Sequence, residues 1–182
     1  DATTEEFTLT KDRSFTFAID RLDTDETAGQ LAAASALARQ TRDVVIPEVD
    51  TYVYGVMCTK AGTKPTAAAL TKTNIYTEIL KANQTLDDAQ VPETGRIIVV
   101  TPATYVFMKQ CTDIVMETDI GNDMRLKGVI GMLDGCSVVK VPAKRLPSKF
   151  GFMVAHPSAT VAPTKLEDYK VHQAPPGISG SL

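Results

Sequence analysis

The 182-residue sequence predicts a mixed α/β (α+β) protein, in which a long amphipathic helix precedes a lobe built on a central mixed β-sheet flanked by helices. Three observations carry this. Apolar residues recur at spacings of three and four from Leu31 to Val56, the stripe of an amphipathic helix. Arg96 to Thr101 encloses an unbroken Ile-Ile-Val-Val run, typical of a strand covered on both faces. Two further strand-like runs, Val129 to Leu133 and Cys136 to Val141, flank Asp134-Gly135, the two-residue signal of a tight hairpin.

Each element follows from its local chemistry. Phe7-Thr8-Leu9 and Phe15 to Ile19 alternate apolar and polar side chains, which predicts an extended opening. Asp23 to Glu26 offers a cap and early acidic residues, so a helix is expected to start there and run through an Ala-rich stretch. Its stripe comprises Leu31, Ala34 or Ser35, Ala38, Arg42, Val45, Val49, Tyr52 and Val56, over about 45 Å at about 1.5 Å per residue. Pro47 falls inside and must kink or divide it, since proline lacks a backbone donor and crowds the preceding turn.

Gly62 and Pro65 end the pattern, and Ala61 to Thr73 reads as an exposed connection. A second helix is predicted from about Asn74 to Ala89, capped by Asn74 or Thr73, with Ile75, Ile79, Ala82 and Leu86 on its inner face. Thr101-Pro102 supplies an N-cap and an N1 proline for a helix carrying Tyr105, Val106 and Met108. Pro142 and Pro147 bracket a loop, Phe150 to Ala155 reads as a short strand, and His156-Pro157-Ser158 as a single helical turn. Residues 175–182 read as a linker or a cut edge.

Composition narrows the function. At 43% hydrophobic and 23% charged the chain is globular in character, and a net charge of −3 lacks the basic excess that phosphate binding demands. Cys58, Cys111 and Cys136 are widely separated, with no CxxC or CxxH spacing, and read as reduced core residues. No run approaches the roughly 20 apolar residues of a membrane helix, and Asp1 to Glu6 has no targeting character.

Candidate chemistry is sparse. A thiol enzyme acting through Cys111 or Cys136 needs a base, and His156 and His172 lie in Pro-rich surroundings without an oxyanion-hole motif. His156 reads as a strand-end cap and His172 as a surface residue. Glu117, Asp119 and Asp123 around Gly121 do not match a calcium loop, and Gly128, Gly131 and Gly135 lie in a hairpin, where they serve strand packing and the turn. Asp87-Asp88 and Glu167-Asp168 are adjacent in sequence, point apart, and read as surface charges. No residue is assigned a catalytic, cofactor-binding or metal-binding role. The half from Thr94 to Ala174 reads as laid out for packing and assembly.

In order, several stretches resemble the major capsid proteins of tailed bacteriophages with the Hong Kong 97-type fold. Asp12 to Asp20 resembles the strand that leads into the spine helix, and Leu31 to Met57 that helix. Asn74 to Ala82 with Leu86, then Val91 to Pro102, is similar to the helix and central strand of the axial domain. Gly128 to Lys140 with Arg145-Leu146-Pro147 resembles its hairpin, and Ala155 to Ala159 the strand-helix junction after it.

The resemblance implies a peripheral part over 1–66, an axial lobe over 67–174 and a linker or edge over 175–182. It implies a non-enzymatic subunit of a phage or prophage virion. Its partners would be copies of itself in pentamers and hexamers, with scaffolding or decoration proteins, around DNA held without sequence-specific binding and without a membrane. Its location would be the virion, and the host cytoplasm during assembly. The family pattern also places an N-terminal arm and extended loop before Asp1 and strands after Leu182, so the chain reads as a fragment. The alternatives are a bacterial nanocompartment shell protein of similar fold, the thiol enzyme, and a monomeric peptide- or ligand-binding module.

Overall fold

The computed structural model describes residues 8–16, 33–66, 68–114 and 129–162. They fall into two units, one holding the described residues up to Ile46 together with Ala162, the other running from Pro47 to Val161.

In the larger unit the apolar run Ile97–Val100 (β1) is a central strand. It pairs in parallel with Cys136–Lys140 (β3), Ile97 opposite Ser137 and Val100 opposite Lys140, and antiparallel with Phe152–Ala155 (β4). Val129–Leu133 (β2) adds the outer strand beside β3, giving the order β2-β3-β1-β4 and a mixed sheet. The β2–β3 turn is Asp134-Gly135, with φ of 49° and 75°. Positive φ at both central residues is the type I′ arrangement, whose twist suits a hairpin. A register irregularity between Val129 and Gly131 interrupts the β2–β3 ladder.

Because side chains alternate along a strand, β1 supplies both faces of the sheet. Ile98 and Val100 join Val138, Cys136 and Leu133 on one face, closed by two helices: Ile75–Asp88, with Ile75 and Ile79, and Pro102–Gln110, with Met108. Val99 joins Val141 and Leu146 on the other, with Tyr54, Phe150 and Met153 half-buried around them. A fully buried aliphatic side chain contributes about 2 kcal/mol, so the first face, with nine buried members, dominates the lobe's stability.

Among the described residues the α-helices are α1 (Ala33–Gln40), α2 (Ile46–Lys60), α3 (Ile75–Asp88) and α4 (Pro102–Gln110). The α4 start is as expected: Thr101 Oγ1 accepts from Thr104 N at 3.0 Å, with Pro102 at the first helical position. The α3 start differs. Asn74 precedes the helix without capping it; its amide oxygen accepts from Thr71 N at 2.7 Å and its Nδ2 donates to Ala69 O at 2.9 Å, bracing the preceding turn. The inner face of α3 is Ile75, Ile79 and Asn83, with Ala82 and Leu86 half-buried beside it. The connection before α3 is largely exposed, but Leu70 folds onto the core. It does so over Gly151, where an added Cβ would lie 2.8 Å from Leu70 Cδ1.

Between α1 and α2 the chain forms a π-helical turn, Thr41–Val45, closed by Ile46 N–H donating to Thr41 O. Pro47 follows directly, and the wider turn is the local answer to a residue with no N–H to give. In α2, Val49, Tyr52 and Val56 keep their predicted helical spacing but lie 36%, 42% and 41% exposed. Tyr54 packs against the Val99 cluster, and Asp50 Oδ2 is 2.8 Å from Nη1 of Arg145, in the turn after β3.

The extended opening is not a strand where it is described. Residues 8–16 are irregular and exposed, including Leu9 and Phe15. Alternation signals fit to a pleated surface, and no strand among the described residues pairs with this stretch. The predicted start of the long helix at residues 23–26 lies outside the described residues.

Candidate assembly surface

The parallel pairing of β1 and β3 gives the lobe two chemically different ends. At the N-terminal ends of these strands, a cleft of about 240 Å³ lies between the second half of α3, the loop before β1 and the hairpin turn. Its floor is Arg96, only 3% exposed at the mouth of the apolar run. The guanidinium is held from three directions: Nε donates to Pro92 O at 3.0 Å, Nη2 donates to Val91 O at 2.6 Å, and Nη2 is ion-paired with Asp87 Oδ1 at 2.7 Å. The backbone of Arg96 also accepts from Ser137 N at 2.9 Å, so one residue ties the loop, α3 and β3 together.

Glu93 and Asp134 stand exposed around this cleft. For Tyr76, on the first turn of α3, burial followed by the charge of the Asp134 carboxylate pushes the hydroxyl pKa up. Asn83 and Cys136 form the inner wall. The thiol donates to Asn83 Oδ1 and to Asp134 O, each at 3.7 Å. Burial raises the thiol pKa, against the opposing effects of Arg96 and Asn83.

The C-terminal end of β3 is basic. Lys140 and Lys109 place their Nζ atoms 5.2 and 5.7 Å from the Tyr105 ring centroid, within cation–π range. Beyond them lie exposed Lys144, in the 3₁₀ turn Ala143–Arg145, and exposed Lys149. Lys149 occupies a turn closed by Phe150 N donating to Pro147 O at 3.2 Å, at φ 63°. Arg145 is held by Asp50 on α2.

These ends were not visible as units in the linear sequence. Asp87, expected to be an ordinary surface charge, is instead the ion-pair partner of a buried arginine, while Asp88 is exposed. Arg96 and Asn83 were missed as organising residues. An arginine directly ahead of an apolar strand run, with carboxylates nine positions before and three before it, was the available signal for the first.

The remaining candidates sort plainly. Cys111 and Cys136 are buried in the core, and Cys58 on α2 is half-buried with burial raising its pKa. A raised thiol pKa is the opposite of nucleophile activation. His156 caps the turn Pro157–Ala159: Nδ1 accepts from Ser158 N at 3.2 Å while Nε2 donates to Thr94 O at 3.2 Å. Both of its nitrogens are thus engaged by backbone. Gly135 serves the hairpin turn, and Gly131 is buried at the irregularity in β2. His172, Glu117, Asp119, Gly121, Asp123, Gly128, Glu167 and Asp168 lie outside the described residues. Among the described residues no group of three or more His, Cys, Asp and Glu is placed to hold a metal ion. No helix among them is long and apolar enough to cross a membrane.

With that geometry in hand, comparison with known proteins gives a class of fold. No protein-family model matches the chain, and no curated protein matches it in sequence. Among solved structures, the chain is similar to one from Mycobacterium phage Che8, with a TM-score of 0.55 and 22% identity over 78% of this chain. The match covers 52% of that structure, so the chain spans about half its length. The mixed α/β architecture, a central sheet with flanking helices, is therefore a fold shared with a phage protein.

Proposed function

We propose that the chain is part of a structural subunit of a tailed-phage or prophage capsid with the Hong Kong 97-type fold, which assembles with copies of itself into the shell around DNA. The observation that carries this reading is the fold shared with the Mycobacterium phage Che8 chain across 78% of the length. The ordered resemblance of Asn74 to Pro102, Gly128 to Pro147 and Ala155 to Ala159 to the axial domain of that family supports it independently.

In this reading residues 67–174 form the axial lobe and residues 1–66 belong to the peripheral part. The protein works by geometry. Many moderate contacts between copies close into rings and then a lattice when the rotation between neighbours fits a point group. Pentamers and hexamers, attached scaffolding or decoration proteins, and a location in the virion after assembly in the host cytoplasm belong to the same proposal. No residue is given a catalytic role.

The test is expression of the complete gene product followed by electron microscopy and sedimentation. Closed particles are the expected result. Monomers alone, across salt and concentration, would overturn the reading, and particles that enclose a protein cargo in place of nucleic acid would replace it with the nanocompartment.

A further inference from the structure

The two ends of the lobe carry opposite charge, and each is incomplete. At the cleft, Asp87, Glu93 and Asp134 face a single guanidinium, Arg96, which Asp87 already neutralises. Glu93 and Asp134 form no ion pair among the described residues. An acidic rim alone would carry little. Asn83, however, lines the same cleft with its side chain about nine-tenths buried. Its oxygen receives only a long thiol contact, and its amide nitrogen has no hydrogen bond among the described residues. That nitrogen is not a buried unpaired group: it is open to solvent in the cleft, where an arriving carbonyl can take the place of water. Leu80, 44% exposed, supplies apolar surface at the same opening.

At the far end of β3, roughly 13 Å along the strand at about 3.3 Å per residue, the situation is reversed. Lys144 and Lys149 are exposed and make no ion pair among the described residues, while the nearby Arg145 is consumed by Asp50. Lys149 sits on a tight turn, the shape that enters a cleft.

We propose that the acidic cleft receives the basic end of a second copy of this chain, Lys144 and Lys149 entering between Glu93 and Asp134, in a head-to-tail contact. This rests on the self-assembly reading above and deepens it by naming the contact. Charge complementarity argues for a second copy, because one surface of this lobe offers what the other lacks. It also selects the type of contact. An isologous pairing of two clefts would set carboxylates against carboxylates, whereas the head-to-tail arrangement leaves each copy with one cleft and one basic end to extend the array, closing as a ring if the rotation permits. Such charges chiefly set partner choice and register, and their effect weakens with salt.

The test uses the complete gene product in four forms: unaltered, Glu93→Lys with Asp134→Asn, Lys144→Glu with Lys149→Glu, and all four changes together. Asn is chosen at position 134 because it tolerates the positive φ there. Assembled fraction is read by sedimentation velocity and electron microscopy at low salt, with circular dichroism as a fold control. Each pair of changes should lower the assembled fraction about tenfold, and the four together should recover most of it because the reversed charges face one another again. If a reversal variant does not fold, Glu93→Gln and Lys149→Gln replace it, with each single change weakening assembly about threefold and the double no worse than either single.

Assembly that ignores either pair overturns the contact while leaving the capsid reading intact. Loss at both pairs without recovery also overturns it, and points to a different basic protein as occupant. If the unaltered protein never associates, the contact and the capsid reading fall together. Open rings or filaments that respond as predicted would retain the contact and remove the capsid.

Discussion

Helices α2 and α3 show the same kind of apolar periodicity in sequence, yet they use it differently. In α3, Ile75 and Ile79 lie at 0% exposure against the sheet. In α2, Val49, Tyr52 and Val56 remain 36–42% exposed, while Tyr54 packs against the Val99 cluster and Asp50 pairs with Arg145 in the turn after β3. Periodicity therefore reports that a helix has an apolar face, while which surface covers that face is decided by the rest of the fold. For α3 the covering surface lies within the lobe. The face of α2 is left partly open among the described residues.

This contrast can be broken at its strong side first. Ile79→Ala removes a fully buried side chain from between α3 and the sheet and should cost about 3 kcal/mol in urea unfolding, the transfer loss adding to a cavity that cannot fully collapse. A loss below about 1 kcal/mol would mean that α3 is not seated as described. Next in size is Arg96→Met. The apolar stem is kept, but the carbonyls of Val91 and Pro92 lose their donor, while half-exposed Asp87 can recover water. A cost of about 2 kcal/mol is expected, in line with hydrogen bonds made by a buried charged group. Hydrogen exchange at Ser137, whose amide donates to the Arg96 carbonyl, should quicken in the same variant.

What was legible in the sequence was what local chemistry determines. The β1 run, the Asp134-Gly135 turn and the Thr101-Pro102 helix start are each specified by a few neighbouring residues, and they stand where expected. What escaped depends on long-range partners. The role of Asn83 needs Cys136, fifty-three positions away, and the basic end needs the crossover that sets β3 beside β1. The expected strands at Phe7 to Leu9 and Phe15 to Ile19 are absent where those runs are described, at residues 8, 9, 15 and 16, for the same cause, since alternation can show a strand's preference but not its partner; Phe7 and Phe17 to Ile19 lie outside the described residues. For Asn74 the error was narrower. Its residue type is a strong cap, but the preceding turn offered the Thr71 amide and Ala69 carbonyl as competitors, and they took the side chain.

The α4 start gives a smaller but sharper test than the core. Thr101 Oγ1 caps Thr104 N and also meets Thr104 Oγ1 at 2.9 Å, while Thr104 Oγ1 donates to Gly151 O at 2.8 Å. Thr101→Ala removes the cap together with the contact to Thr104 Oγ1 and a methyl group, and about 1 kcal/mol is expected. Thr101→Ser restores the oxygen and should recover most of that. Recovery by Ser separates the hydrogen bond from the methyl group's packing, and no recovery would assign the effect to packing.

The smallest effect is expected at α2, where it tests the weak side of the contrast. Val49→Ser and Val56→Ser, made separately, replace apolar side chains on the exposed face by polar ones with a similar intrinsic helix preference. Any change in stability then reports burial and not helix propensity. Each should lie within about 0.5 kcal/mol of the unaltered protein when unfolding is measured on dissociated chains, as for exposed sites generally. Tyr52 is left unchanged because it has contacts of its own. A cost of about 1.5 kcal/mol at either valine would place this face under cover within a single chain, and the distinction between the two helices would be lost. Agreement with the small value would leave α2 attached to the lobe by Tyr54 and the Asp50–Arg145 pair. Tyr54→Ala should then destabilise the lobe more than both valine changes together.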